Sequence, residues 1–471
     1  MNSSFSPDSR RRPALCTLDR RQFLATIGVG AATLAMGSAG LPAEISPAPN
    51  IVLIVADDLG YGDLGIHGGG EIPTPHIDAL ASGGVRFSNG YVSCPVCSPT
   101  RAGLLTGRYQ QRFGHWYNPG PAQDAALNFG LPLDEITLPQ LLKKGGYATG
   151  MVGKWHLGYK PEFHPLQRGF DEFFGFLGGS HPYLPKDGEP LTDILRGTDA
   201  VEERAYLTDA FTREAVHYVS KEHQKPFFLY LPYNAVHAPM QAPQAYLDRF
   251  QGITDQKRRA YAAMLSALDD GVGAVVNALR DRQILDKTLV VFLSDNGGPP
   301  TANASRNTPL SGAKGGVREG GIRVPFFMHY PSRIPSGRVY DQPVISLDIL
   351  PTLLAVAGSQ APTDRIIDGV DLLPFVSGER SGVPHDRLFW AFHEGRAIRE
   401  GNWKLMKERG STYGLYDVSA DIAESNDRSA DHEAKARELR EALTAWESEL
   451  KTPLWESPSS PRRAKPKASQ T

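Results

Sequence analysis

The sequence predicts an α/β fold: a large mixed, mostly parallel sheet sandwiched by helices, followed by a smaller C-terminal α+β domain with a short antiparallel sheet. Three observations carry this expectation. Continuous apolar runs of strand length recur between Ile51 and Met328. Amphipathic helical patterns separate those runs, and beyond about residue 370 the apolar runs shorten and follow one another at turn spacing.

In chain order, Ile51–Ala56 is wholly apolar, as suits a strand buried on both faces. Ala148–Val152, Phe227–Leu231, Leu289–Leu293 and Val324–Met328 repeat the pattern, with helices predicted over 137–145, 209–222 and 258–280. Residues 48–370 therefore read as the main domain. Within 371–456, Leu388–Phe392, Arg396–Arg399 and Trp403–Met406 read as meandering strands, and 431–450, rich in Ala, Glu, Lys and Leu, as a helix. Residues 457–471 lack apolar periodicity and are predicted to be disordered.

Residues 1–43 read as a twin-arginine export signal, because Asp19-Arg20-Arg21-Gln22-Phe23-Leu24 runs into a small, apolar stretch ending near Leu41. Cleavage is expected near Ala39 or Ala43, and an uncleaved anchor is the alternative. The twin-arginine translocon is then a partner, and the mature chain is periplasmic or secreted. No other segment is expected to reach the length of a membrane span. A formal net charge of -2 gives no global field for nucleic acid or an anionic membrane, so an anionic ligand requires a local cluster. The three cysteines, Cys16, Cys94 and Cys97, exclude a disulfide framework.

The residues that follow the predicted strands are Asp57-Asp58, Lys154 with His156, Asn234 with His237, and Asp295-Asn296. Ligands of open α/β sheets bind beyond the carboxyl ends of strands, so these segments can converge on one site. Cys97-Ser98-Pro99-Thr100-Arg101 precedes an apolar run and suits a helix start. A group at position 97 then sits at the positive end of a helix dipole, a suitable place to attack a sulfate or phosphate ester. Cys94-Pro95-Val96-Cys97 is also a C-x-x-C, so redox or zinc use competes, although no second cysteine pair completes a zinc site.

C-x-P-x-R followed by Ala102-Gly103-Leu104-Leu105-Thr106-Gly107-Arg108 resembles the signature of the type I sulfatases, of alkaline-phosphatase-like fold. The resemblance implies that a maturation enzyme oxidises Cys97 to formylglycine. The aldehyde hydrates to a geminal diol, one hydroxyl attacks sulfur, and the other later expels sulfate as the aldehyde re-forms. Val55–Asp63 and Leu293–Gly298 resemble that family's metal loops, which implies a cation held by Asp57, Asp58, Asp295 and Asn296 beside residue 97. The all-oxygen set favours Ca2+, with Mg2+ possible.

By the same resemblance Lys154, in Lys154-Trp155-His156-Leu157-Gly158, binds sulfate and His156 takes the proton of the second hydroxyl. Arg101 steadies the diol and the sulfate. His237 and Lys314 face the leaving oxygen, and one of them supplies its proton. Glu319–Pro325 frames the site. The alcohol is left to loops 109–123, with Arg112, His115, Trp116 and Tyr117, and 180–187, with His181 and Tyr183. A sulfated carbohydrate, such as a 6-sulfated amino sugar or an algal polysaccharide fragment, is favoured over a small aryl sulfate. The alternatives are a phosphomonoester or phosphonate hydrolase on the same scaffold, and a non-catalytic sulfated-glycan binding protein in which Cys97 stays a thiol.

Overall fold

The computed structural model describes residues 48–120 and 129–457; the predicted export signal, Cys16 and the tail from 458 lie outside them. The strands are β1 (Asn50–Ala56), β2 (Val85–Phe87), β3 (Gly90–Tyr91), β4 (Ala148–Lys154), β5 (Glu172–Phe176), β6 (Leu191–Arg196), β7 (Asp199–Glu203) and β8 (Phe227–Pro232). They continue as β9 (Thr288–Ser294), β10 (Phe326–His329), β11 (Arg338–Tyr340), β12 (Val344–Ile345), β13 (Leu388–Phe392), β14 (Gly395–Glu400), β15 (Trp403–Lys407) and β16 (Gly414–Asp417). A ten-stranded sheet runs β11-β2-β10-β9-β1-β8-β4-β5-β6-β7. Its centre, from β9 to β5, is parallel, whereas β10, β6 and β7 are antiparallel to their neighbours on the way to the edges.

The unbroken apolar character of β1 follows from its place. Ile51, Leu53 and Val55 enter the core on one face of the sheet, and Val52, Ile54 and Ala56 enter the core on the other. Burying each of the larger side chains contributes about 1.5–3 kcal/mol, so a polar residue anywhere in the run would be costly. The helix Leu138–Lys144 begins at Thr137, whose capping box with Gln140 satisfies orphan backbone groups.

The helix Gln256–Asp281 is long and apolar enough to cross a membrane by length and composition, contrary to the expectation that no segment beyond the leader reaches that length. Its residues Tyr261, Met264, Leu265, Leu268 and Val272 are wholly buried in the core instead. The short strands β2, β3, β11 and β12, and the charged β6–β7 hairpin, were not expected from the sequence. Strands of two or three residues are too short to show a period, and the side chains of β6 and β7 are mostly polar and exposed.

The strands β13–β16 form a separate antiparallel sheet, one strand more than the three expected, and the helix Glu433–Glu447 follows. This sheet is tied to the rest through buried polar contacts. The Trp390 indole donates to the Val92 carbonyl at 2.7 Å. Lys404, on β15 and with no exposure, lies 2.8 Å from both Glu319 and Glu424, and the Tyr91 hydroxyl donates to Glu319 at 2.6 Å.

Burial resists ionisation of Glu319, yet Lys404, Arg323 and Arg399 bring its pKa down to about 2. The folded protein therefore binds fewer protons here than the unfolded chain. The stabilisation is complete above the ordinary carboxyl value of about 4.5 and is lost as pH falls toward about 2. Glu319→Gln should flatten the wild-type loss of stability in that window, measured by urea unfolding at a series of pH values. An unchanged slope would contradict it.

Candidate active site

Four adjacent central strands, β9, β1, β8 and β4, bring their carboxyl ends to one place. Asp57 and Asp58 follow β1, Asp295 and Asn296 follow β9, Lys154 is the last residue of β4, and Asn234 and His237 lie just past β8. The helix Cys97–Thr106 presents its first residue to the same point; Val96 before it is extended, and Gly107 closes it in the left-handed region at φ 67°. Every residue of this helix is buried. Asp58 and His156 also adopt positive φ, 63° and 60°. Such backbone is sparsely populated by non-glycine residues and is retained where surrounding structure imposes it.

All the site residues expected from the sequence come together. One ligand atom from each of Asp57, Asp58, Cys97 and His237 lies within 4.8 Å of the others. Lys154 Nζ donates to Asp57 at 2.5 Å, and Lys314 Nζ donates to Asp58 at 2.6 Å and to Cys97 Sγ at 3.2 Å. Arg101 is fully buried and places Nε and Nη2 on Asp295 Oδ2 at 3.0 and 2.7 Å, with Nη1 on the Lys154 carbonyl at 3.2 Å. His237 Nε2 lies 3.6 Å from Asp58, its Nδ1 being 2.6 Å from the Ala238 carbonyl. Asn296 donates its amide N–H to Asp58 at 2.7 Å, which leaves Oδ1 buried and without a hydrogen-bond partner.

The donor set fits a hard cation. Three carboxylates and the unpartnered Asn296 carbonyl are all-oxygen ligands, and buried acceptors of this kind ordinarily find a partner. The other buried cysteine, Cys94, falls instead in an apolar cluster with Val96 and Phe392 and does not join this group, which speaks against a zinc site built on the C-x-x-C pair.

Electrostatics follow from the packing. Burial resists charge on Asp57, but Lys154, His237 and Arg101 outweigh it and hold the carboxyl below its ordinary value. Burial pushes the Cys97 thiol up to about 12 in spite of Lys154 and Lys314, so an unmodified thiol is a poor nucleophile near neutral pH. Burial, followed by Lys154, Arg101 and Lys314, keeps His156 well below its usual value. Its imidazole is therefore neutral. Gly179 abuts this ring so closely that a Cβ there would lie 2.5 Å from Nε2.

A cavity of about 770 Å3 opens over Cys97, His156 and His237, within the usual range for small-ligand pockets. The loop residues expected to read the alcohol mostly do not reach it. The Trp116 indole donates to the Lys451 carbonyl, Tyr117 stacks on His393, and Arg112 pairs with Asp368 and Glu449. His115 is buried against the Ser98 hydroxyl at 2.7 Å. Tyr183 is wholly buried, its hydroxyl donating to the carbonyls of Asn234 and His237, so it supports the His237 loop. His181 alone of those named lines the cavity, joined by Asn118, Tyr159 and Asp193, which the sequence did not single out.

Carboxylates, an amide carbonyl and ammonium groups, gathered around a helix N-terminus at the carboxyl edge of a helix-covered sheet, define a hydrolase of anionic esters with the alkaline-phosphatase-like architecture. The family model described as Sulfatase matches residues 49–359, and a second, described as N-sulphoglucosamine sulphohydrolase, C-terminal, matches residues 314–450. The chain belongs to the sulfatase family and is a sulfuric ester hydrolase.

Among its relatives is the N-acetylgalactosamine-6-sulfatase of Canis lupus familiaris, 39% identical over 368 residues that span 73% of this chain and 69% of that one. Arylsulfatase A of Bos taurus is 39% identical over 428 residues, covering 83% and 80% of the two chains. The crystal structure of Ps i-CgsB in complex with k-i-k-neocarrahexaose superposes with a TM-score of 0.82 at 38% identity, covering 87% of this chain and 94% of that one.

Proposed function

We propose that this sulfatase removes sulfate from a sulfated carbohydrate, using formylglycine made from Cys97 as nucleophile and Ca2+ held by Asp57, Asp58, Asp295 and Asn296. Cys97 Sγ then stands where an oxygen of the hydrated aldehyde belongs. The observation that carries the reading is the meeting of four strand ends around that atom, with Lys314 at 3.2 Å and Asp57 at 3.6 Å from it. Bound there, the cation supplies charge that neutralises the sulfate and favours ionisation of the attacking hydroxyl. Carbohydrate is supported by a cavity larger than a sulfate group needs, and by relatives named for N-acetylgalactosamine 6-sulfate or bound to a neocarrahexaose.

Lys154 binds and orients the sulfate. Arg101, its fork spent on Asp295 and the Lys154 carbonyl, fixes both groups and adds charge. His156 takes the proton of the second hydroxyl as sulfate leaves. His237 and Lys314 flank the leaving oxygen and supply its proton. A formylglycine-generating enzyme and the twin-arginine translocon are the partners this route requires, and the periplasm or the exterior is the destination.

Mass spectrometry of the tryptic peptide Phe87–Arg101 tests the reading, with an aldehyde in place of the residue 97 thiol as the expected result. Chelation should abolish sulfate release and Ca2+ should restore it. Faster turnover of an aryl phosphate than of the matching aryl sulfate would replace the reading with phosphomonoester hydrolysis. His237→Ala should lower kcat by about 10- to 1,000-fold for alkyl sulfates and far less for a nitrophenyl sulfate, whose leaving group needs no proton. Equal losses on both would remove His237 from leaving-group protonation.

A further inference from the structure

We propose that Asp193 selects the sugar, admitting a glycan that offers hydroxyl or amide N–H donors beside its sulfated position and excluding one that carries a second anion there. The proposal rests on the carbohydrate sulfatase reading above and adds the class of glycan.

Asp193 sits where the β6–β7 pairing loses register, between Leu191 and Ile194, with φ 61°. A local irregularity of this kind re-aims a side chain, and aspartate is among the few residues besides glycine that adopt left-handed backbone. The exposed side chain lines the cavity above Cys97, and no ion-pair partner for it occurs among the described residues.

The charge around the cavity is divided by depth. Lys154 and Lys314 lie behind the lining residues, engaged with Asp57 and Asp58, and Lys314 reaches Cys97 Sγ at 3.2 Å at the cavity floor. No lysine or arginine lines the cavity among the described residues. His181 has a carbonyl oxygen against each ring nitrogen, from Pro182 and Thr192, both at 2.7 Å. Asn118 accepts from the Ser98 N–H at 3.0 Å through Oδ1, which leaves its amide N–H groups as donors. The floor thus accepts one anion, and the upper wall accepts hydrogen bonds through a carboxylate. A second sulfate or a uronate beside Asp193 meets like charge, a repulsive element of the kind that sets specificity.

The test uses the full-length, matured enzyme and two disaccharides, one neutral apart from a single sulfate and the other bearing a second sulfate on the sugar that is not desulfated. Wild type should prefer the first by at least about tenfold in kcat/KM. Asp193→Asn should lose about 10- to 100-fold on it and gain on the second, so that the preference collapses. Asp193→Gly, which adopts positive φ without cost, should shift the preference in the same way and thereby separate the carboxylate from backbone strain. A wild-type preference for the disulfated sugar, or a preference that neither variant alters, overturns the role of Asp193. Turnover of nitrophenyl sulfate with neither sugar accepted overturns the carbohydrate reading and this proposal with it. Failure on all three sulfates overturns the catalytic reading itself.

Discussion

Cys97→Ala should yield a folded protein whose sulfate release falls by at least about 10^4-fold, because no neighbouring group can replace a nucleophile that must both attack sulfur and later expel sulfate. Its stability should stay within about 1–2 kcal/mol of wild type, since the side chain is small and borders an open cavity. Burst and steady-state assays on an aryl sulfate read the first expectation and thermal unfolding the second. Sulfate release within tenfold of wild type would place the nucleophile elsewhere. A large loss of stability would show Cys97 to be a packing residue.

Asp295→Ala carries the second large effect, and it acts on two quantities at once. The carboxylate is a proposed calcium ligand, and it is also the partner of Arg101 at 2.7 Å, with neither side chain exposed. Removing it leaves a buried guanidinium with only the longer contact to Asp57, at 3.6 Å, as counter-charge, and loss of a buried partner of this kind costs about 3–5 kcal/mol. Activity should fall by at least about 10^3-fold, as expected when an interaction made in the transition state disappears. The paired variant Asp295→Leu/Arg101→Met should recover much of the stability and none of the activity, because an apolar pair of similar volume is tolerated where half an ion pair is not. Urea unfolding of the three proteins separates the two roles. Stability of Asp295→Ala equal to wild type would mean that Arg101 finds another partner.

The central site was legible because of where its strands lie. β1, β8 and β9 are buried on both faces, so their side chains are apolar without interruption and their ends can be read to within a residue or two. The charged residues that follow are conspicuous against that background. The same logic hid β6 and β7, whose Asp193, Asp199 and Glu202 are exposed and leave no apolar period to follow.

The wall of the cavity was less legible for a related reason. A loop tyrosine that stacks on a sugar and one that bonds a backbone carbonyl look alike in sequence, and Tyr183 does the second. Asn118 and Tyr159 reach the cavity from loops, where no periodicity marks which side chains turn inward. The positive φ of Asp193 likewise follows from strand pairing and leaves no trace in composition.

The contacts of Lys404 bear on how this chain can be cut or recombined. Glu319 lies five residues beyond Lys314, in the segment that frames the catalytic floor, while its partner Lys404 belongs to the C-terminal sheet along with Tyr416, which pairs with it across β15 and β16. A chain ending before β13 would keep all the proposed metal ligands and the nucleophile, yet would strip Glu319 of Lys404 and leave the buried carboxylate, next to the loop that carries Lys314, with Arg323 and Tyr91 alone of the partners named above. A C-terminal sheet taken from another sulfatase therefore preserves this ion pair only if it brings a lysine at the position of Lys404.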